Sequence, residues 1–253
     1  MGSAAHPQTR RYLLAELAEL GWRAEVNQSV GVTDPGQPGP VPLGAVANVV
    51  ATLAGTDPSG TVVLAAHYDT VAGSPGAADD GIGVATVLET ARALSATGAT
   101  PPRNDVLALI TDGEEAGLLG AAAFVRDQAA SLGPTVVLNH EARGARGIPT
   151  AFRTTHPNER LLSAMAAAPG AVAESFAEAA FGLLPNNTDH TNFAGAGLHG
   201  IDTAITGGGA TYHSPEDNLA HLSSASLQQM GGDDPCGEPG ASHRRSEDHS
   251  AGR

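Results

Sequence analysis

Five scattered side chains carry the chemistry that this sequence is best equipped to do. His67, Asp79, Glu115, Glu141 and His213 offer nitrogen and oxygen donors without sulfur, a set suited to zinc or a related divalent ion. With one histidine and one terminal carboxylate for each metal and one carboxylate shared, such a set holds two ions about 3.5–4 Å apart. A pair of this kind lowers the pKa of a water between the ions from about 15.7 towards 7 and polarises a substrate carbonyl. Glu114 adjoins one of the ligands and can take the water's proton and pass it to a leaving amine. Asp69 stands two residues from His67, on the same side of an extended chain. It is expected to accept a hydrogen bond from the His67 ring and fix its tautomer. Tyr212, next to His213, can donate a hydrogen bond to a tetrahedral oxyanion.

These residues need a rim to stand on, and the apolar runs before them supply one. Thr61–Ala66, Asn104–Ile110 and Pro134–Leu138 are short, β-rich and apolar, as buried strands are. Each runs directly into carboxylates, which places them at the carboxyl edge of a parallel sheet, where open α/β folds hold their sites. Asp79 and Asp80 open a helix with apolar positions at Val84, Val87, Leu88, Ala91 and Leu94, a 3.6-residue rhythm. Further helices are expected over Pro7–Leu20, stopped by Gly21, over Leu118–Val125 and over Leu161–Ala168. Trp22–Val30, Ala45–Leu53 and Leu198–Ala204 read as strands and Ala171–Phe181 as a strand–helix passage. Thr33–Gly44 and Pro185–Phe193 read as loops. The expected architecture is a single three-layer α/β/α domain over residues 1–230, with a mostly parallel central sheet flanked by helices. Residues 231–253 have almost no large apolar side chain and are expected to be a polar, disordered tail.

Composition excludes some partners. Thirteen basic against twenty-seven acidic residues give a net charge of −14, which argues against nucleic acid and anionic membranes. The single cysteine, Cys236, allows no intrachain disulfide. No apolar run approaches 18 residues, so no transmembrane helix is expected. The first residues lack the apolar core of a signal peptide. A cytoplasmic monomer is therefore expected, or a secreted chain if a leader is missing upstream. Most remaining histidines read as ordinary surface residues; His140 and His190 lie near proposed ligands. Gly207–Gly209 is expected to let backbone pass close to the site.

Five motifs carry a family resemblance: HYD at 67–69, GAADD at 76–80, DGEEAGLLG at 112–120, NHEARG at 139–144 and YHSPEDN at 212–218. Together they resemble the co-catalytic di-zinc exopeptidases, the family of bacterial leucyl aminopeptidases and glutamate carboxypeptidase. The Glu-Ala-Arg-Gly form and the PNNTDHTNF loop are most similar to the branch of vacuolar and endoplasmic-reticulum membrane metallopeptidases and their bacterial relatives. The resemblance covers about 2–227. It implies His67, Asp79 and Glu141 on one zinc, Asp79, Glu115 and His213 on the other, and Glu114 as general base. It also implies Tyr212 at the oxyanion and Asp189 as support behind the ligands. The implied activity is peptide-bond hydrolysis, most commonly as an aminopeptidase on a peptide or aminoacyl substrate. Two other readings keep the same fold: a single-zinc acyltransferase similar to glutaminyl cyclases, and an inactive homologue whose truncated or frameshifted end leaves the polar tail. The interval between Glu141 and His213 is too short for the separate dimerisation domain of aminoacylase-like relatives.

Overall fold

A computed structural model of the chain describes residues 3, 5–34, 39–181, 183 and 187–232. Among these residues, seven strands form one sheet: β1 (Arg23–Val32), β2 (Leu43–Leu53), β3 (Thr61–His67), β4 (Asp105–Thr111), β5 (Thr135–Ala142), β6 (Thr150–Thr154) and β7 (His199–Ile205). Their spatial order is β1-β2-β4-β3-β5-β7-β6. The middle four, β4, β3, β5 and β7, run parallel, while β1, β2 and β6 are antiparallel to their neighbours. The parallel strands are nearly continuous apolar runs because both their faces are covered.

Residues alternate across this sheet with period two. Leu64, Ala66, Ala108 and Ile110 pack with Val87 and Ala91 of α2 (Gly81–Leu94) and with Leu13 and Leu17 of α1 (His6–Glu19). Val63, Ala65, Leu107 and Leu109 point the other way, onto Phe124 of α3 (Leu119–Gln128) and Phe193 of α6 (His190–Gly195). The three expected layers are there. Two short helices, α4 (Glu159–Ala167) and α5 (Ser175–Phe181), lie between β6 and α6 in the chain, and α7 (Ser224–Gly232) follows β7.

Three elements depart from expectation. The edge strand β6 lies where none was read; at five residues it is too short to show a period. The Pro185–Phe193 loop gives way at His190 to α6, whose six residues make less than two turns. Helix α7 runs to Gly232, and the remainder of the expected tail, from 233 on, lies outside the described residues. Pro185 and Asn186 of the polar loop also lie outside them.

Candidate metal centre

Parallel strands bring their carboxyl ends to one rim, and the motifs meet there. His67 is the last residue of β3 and pairs with Thr111 at the end of β4. Glu141 is the penultimate residue of β5, opposite Ala204 of β7. Asp79 sits in the β3–α2 loop, Glu114 and Glu115 just after β4, and Tyr212–His213 after β7.

The five donors form two groups that share one residue. His67, Asp79 and Glu141 make the first, and Asp79, Glu115 and His213 the second; within each group the donor atoms lie within 4.8 Å of one another. Asp79 faces both ways. Its Oδ1 is 3.2 Å from His67 Nε2 and its Oδ2 3.1 Å from His213 Nε2. Glu141 Oε2 lies 3.7 Å from His67 Nε2, and Glu115 Oε2 lies 3.2 Å from His213 Nε2.

Left to their own charges these groups are in conflict. Burial, then the neighbouring Glu114, raises Glu141 well above the ordinary glutamate range. Burial, then Asp79, lifts Glu115 to about 7. Burial opposes a charge on His67, yet the surrounding acids, Glu114 foremost, hold its pKa above the ordinary histidine value. Hydrogen bonds from His213 and His67 overcome the desolvation of Asp79 and lower it. Glu115 Oε1 is buried with no hydrogen-bond partner among the described residues, a costly state for a carboxylate oxygen. Cations held among three carboxylates and two imidazoles would relieve these conflicts. The residues form groups that could hold a metal ion, and their hard-to-borderline donors fit divalent ions, zinc in particular.

Behind the donors, backbone and buried side chains fix their positions. The His67 ring bonds through Nδ1 to the backbone carbonyl of Asp69 at 2.9 Å; the Asp69 carboxylate stands at 3.7 Å. This corrects the role expected for that side chain. Asp69 lies beyond the end of β3, where strand alternation no longer applies, and its carboxylate instead accepts the backbone N–H groups of Glu114 and Glu115, at 3.0 and 3.3 Å. It therefore orients Glu114 and Glu115 together. Asp80 joins β3 to α2, accepting from the His67 N–H and the Gly83 N–H, each at 3.1 Å. Gly76, at φ 71°, packs where a Cβ would lie 2.8 Å from the Asp79 carbonyl oxygen and 2.1 Å from Thr70 Cγ2. Only a bare backbone lets this loop fold so tightly.

Several positioning residues have no counterpart in the sequence reading. Asp217, buried, accepts from the N–H groups of Ala78 and Asp79 at 2.7 and 3.1 Å. Asn139 donates to Glu141 Oε1 at 3.2 Å and to Asp202 Oδ1 at 2.9 Å. Asp202 in turn accepts from Arg153 at 2.8 Å and Thr188 at 2.7 Å. Asp217 and Asn139 stand inside quoted motifs, so their place was visible though their partners were not. Asp202 and Arg153 carried no signal. Asp189 is buried against the Thr111 hydroxyl, and burial raises it to about 6. His140 is also buried and lines a small cavity with Leu138 and Met230.

Glu114 is buried, and desolvation first, with Asp189 and Glu115 adding, holds its pKa well above the usual range. Tyr212 stacks on His213 with ring centroids 3.7 Å apart. Burial, then Asp79 and Glu115, raises its pKa, so the phenol keeps its proton and can donate. Both triads open into a cleft of about 560 Å³, whose apolar wall includes Leu118, Phe152, Ala180 and Phe181.

Residues 48–232 match the model of Peptidase family M28. The chain belongs to that family. Among curated relatives, a vacuolar membrane protease of Botryotinia fuckeliana is 36% identical over 171 residues, 68% of this chain and 16% of the relative. One from Tuber melanosporum is 33% identical over 190 residues, 72% of this chain and 20% of the relative. This M28 chain thus spans a fifth or less of the length of the curated relatives it matches. The cytoplasmic location expected from the sequence is overturned by these relatives, which are named for a vacuolar membrane. Among the described residues no helix is long and apolar enough to cross a membrane.

Solved structures share the fold. BSAP, a zinc aminopeptidase from Bacillus subtilis, superposes with a TM-score of 0.73 at 15% identity, covering 93% of this chain and 89% of that one. The Porphyromonas gingivalis glutaminyl cyclase gives 0.70 at 21% identity, covering 92% and 88%.

Proposed function

We propose that this M28 chain is a di-zinc exopeptidase, most simply an aminopeptidase. His67, Asp79 and Glu141 would hold one ion, and Asp79, Glu115 and His213 the other. The observation that carries this reading is Asp79, with one oxygen turned to each histidine. A single-zinc acyltransferase needs no second complete triad, and that favours hydrolysis over the cyclase-like alternative.

When bound, the ions supply an activated water and a Lewis acid for the scissile carbonyl. The chain's own residues supply the rest. Glu114, desolvated and oriented through the Asp69 grip on its N–H, takes a proton from the attacking water and delivers it to the leaving amine. Tyr212, kept protonated, donates to the oxyanion. Leu118, Phe152 and Phe181 give the cleft an apolar side that suits an apolar side chain and excludes bulk water.

Glu114→Gln separates proton transfer from assembly. The variant is expected to keep its zinc and its melting temperature while kcat falls by about 10²–10⁴. Retained turnover removes Glu114 from the base role. A panel of aminoacyl amides against acyl-amino acids, run on zinc-loaded protein, tests the aminopeptidase assignment; cleavage confined to the acyl-amino acids would replace it with a carboxypeptidase.

A further inference from the structure

Negative charge dominates the cleft, with one exception. Asp34, Asp79, Glu114, Glu115 and Glu141 all line it, and Arg143 is the one arginine among its lining residues. The chain contains no lysine, so no other permanent cation reaches the cleft among the described residues. Arg153, whose guanidinium lies over the cleft residue Phe181, is spent in an ion pair with Asp202. Arg143 is not: among the described residues no carboxylate pairs with it, and its contact is the Tyr212 ring, 5.1 Å from guanidinium carbon to centroid.

That contact holds the guanidinium over the Tyr212 ring, and a guanidinium so held still has N–H groups to offer an acceptor. Tyr212 packs in turn on His213, so Arg143 stands one ring away from a proposed zinc ligand. A half-buried guanidinium without a carboxylate partner, at the rim of an acidic cleft, suits a planar anion carried in by the substrate. The acids around it would otherwise repel such an anion.

We propose that Arg143 anchors a substrate carboxylate, so that the preferred substrates are short peptides, dipeptides foremost, whose terminal carboxylate lies a few bonds beyond the one cleaved. This rests on the peptidase reading above and narrows it. Zinc-loaded full-length chain would be assayed on Leu-Leu, Leu-Leu-amide and Leu-Asp-amide. A charge-assisted bidentate contact predicts a KM about 10–100-fold lower for Leu-Leu than for its amide. Arg143→Gln should bring that ratio close to one, and Arg143→Lys should leave it intermediate. Preference for Leu-Asp-amide over Leu-Leu-amide, lost in Arg143→Gln, would also support the anchor and assign it to a side-chain carboxylate.

Equal KM for all three peptides in the unaltered protein, with turnover present, overturns the anchor and leaves the peptidase reading standing. No turnover of any peptide by protein that holds zinc overturns both. Arg143→Lys keeps the charge and the aliphatic stem. If it loses acid and amide substrates in equal proportion at an unchanged melting temperature, Arg143 serves only to pack Tyr212, and the proposal fails.

Discussion

The two triads share Asp79 and little else. In the inner one, His67 is 2% exposed and Glu141 8%, and both ligands stand on parallel strands. His67 is braced by the Asp69 carbonyl and Glu141 by Asn139. In the outer one, the His213 side chain is 36% exposed and its backbone sits at φ 54°. Left-handed backbone is uncommon for a non-glycine residue and costs energy. Glu115 leaves one oxygen without a partner among the described residues. Strand-borne ligands with a braced far side hold a cation in one geometry. Loop-borne ligands facing the cleft leave room for water and substrate. On the proposed di-zinc reading, the inner triad is built for retention and the outer one for access.

Substitution of the shared residue is the severest test of this contrast. Asp79→Ala should lower zinc from two equivalents to well under one, by atomic emission, and abolish turnover. Loss of one equivalent alone would mean that Asp79 belongs to one triad. Next in size is stepwise metal removal. Dilute chelator should extract the outer ion first, with a plateau near one equivalent and only partial loss of the zinc-dependent rise in melting temperature. Simultaneous release would erase the distinction. His213→Ala should mimic that plateau without any chelator.

Smaller effects probe the bracing. Asn139→Leu should weaken the tighter zinc by about 10–100-fold, as loss of a ligand's hydrogen-bond partner does, and leave the weaker one nearly untouched. Competition with a fluorescent chelator measures both constants, and equal weakening would contradict a brace confined to Glu141. Asp217→Asn keeps the shape but gives up the charge that accepts from Ala78 and Asp79. It should weaken both ions alike, by about tenfold or less.

The strands that carry the ligands were legible because burial on both faces leaves an apolar run that ends abruptly in charge. Asn104–Ile110 against the observed Asp105–Thr111 shows how closely such a run marks its element. The proposed ligands were legible for the same reason, as His67, Glu115 and Glu141 each stand at or just beyond a strand end. What escaped was set by partners remote in sequence. Asp202 earns its place through Arg153, Thr188 and Asn139, and none of these is near it in the chain. Asp69 was assigned by strand parity, which fails where the strand stops. Helix α6 is too short to display a period, and β6 owes its existence to the edge of β7.

Asp217 joins a late segment to the loop that carries Asp79. A protease that nicks the chain between Ile205 and Tyr212 would detach the outer histidine and, with the same cut, slacken the hold on the shared aspartate. Susceptibility of that stretch to trimming would then fall as zinc occupancy rises, so the enzyme's durability and its readiness to work would be set by one strap.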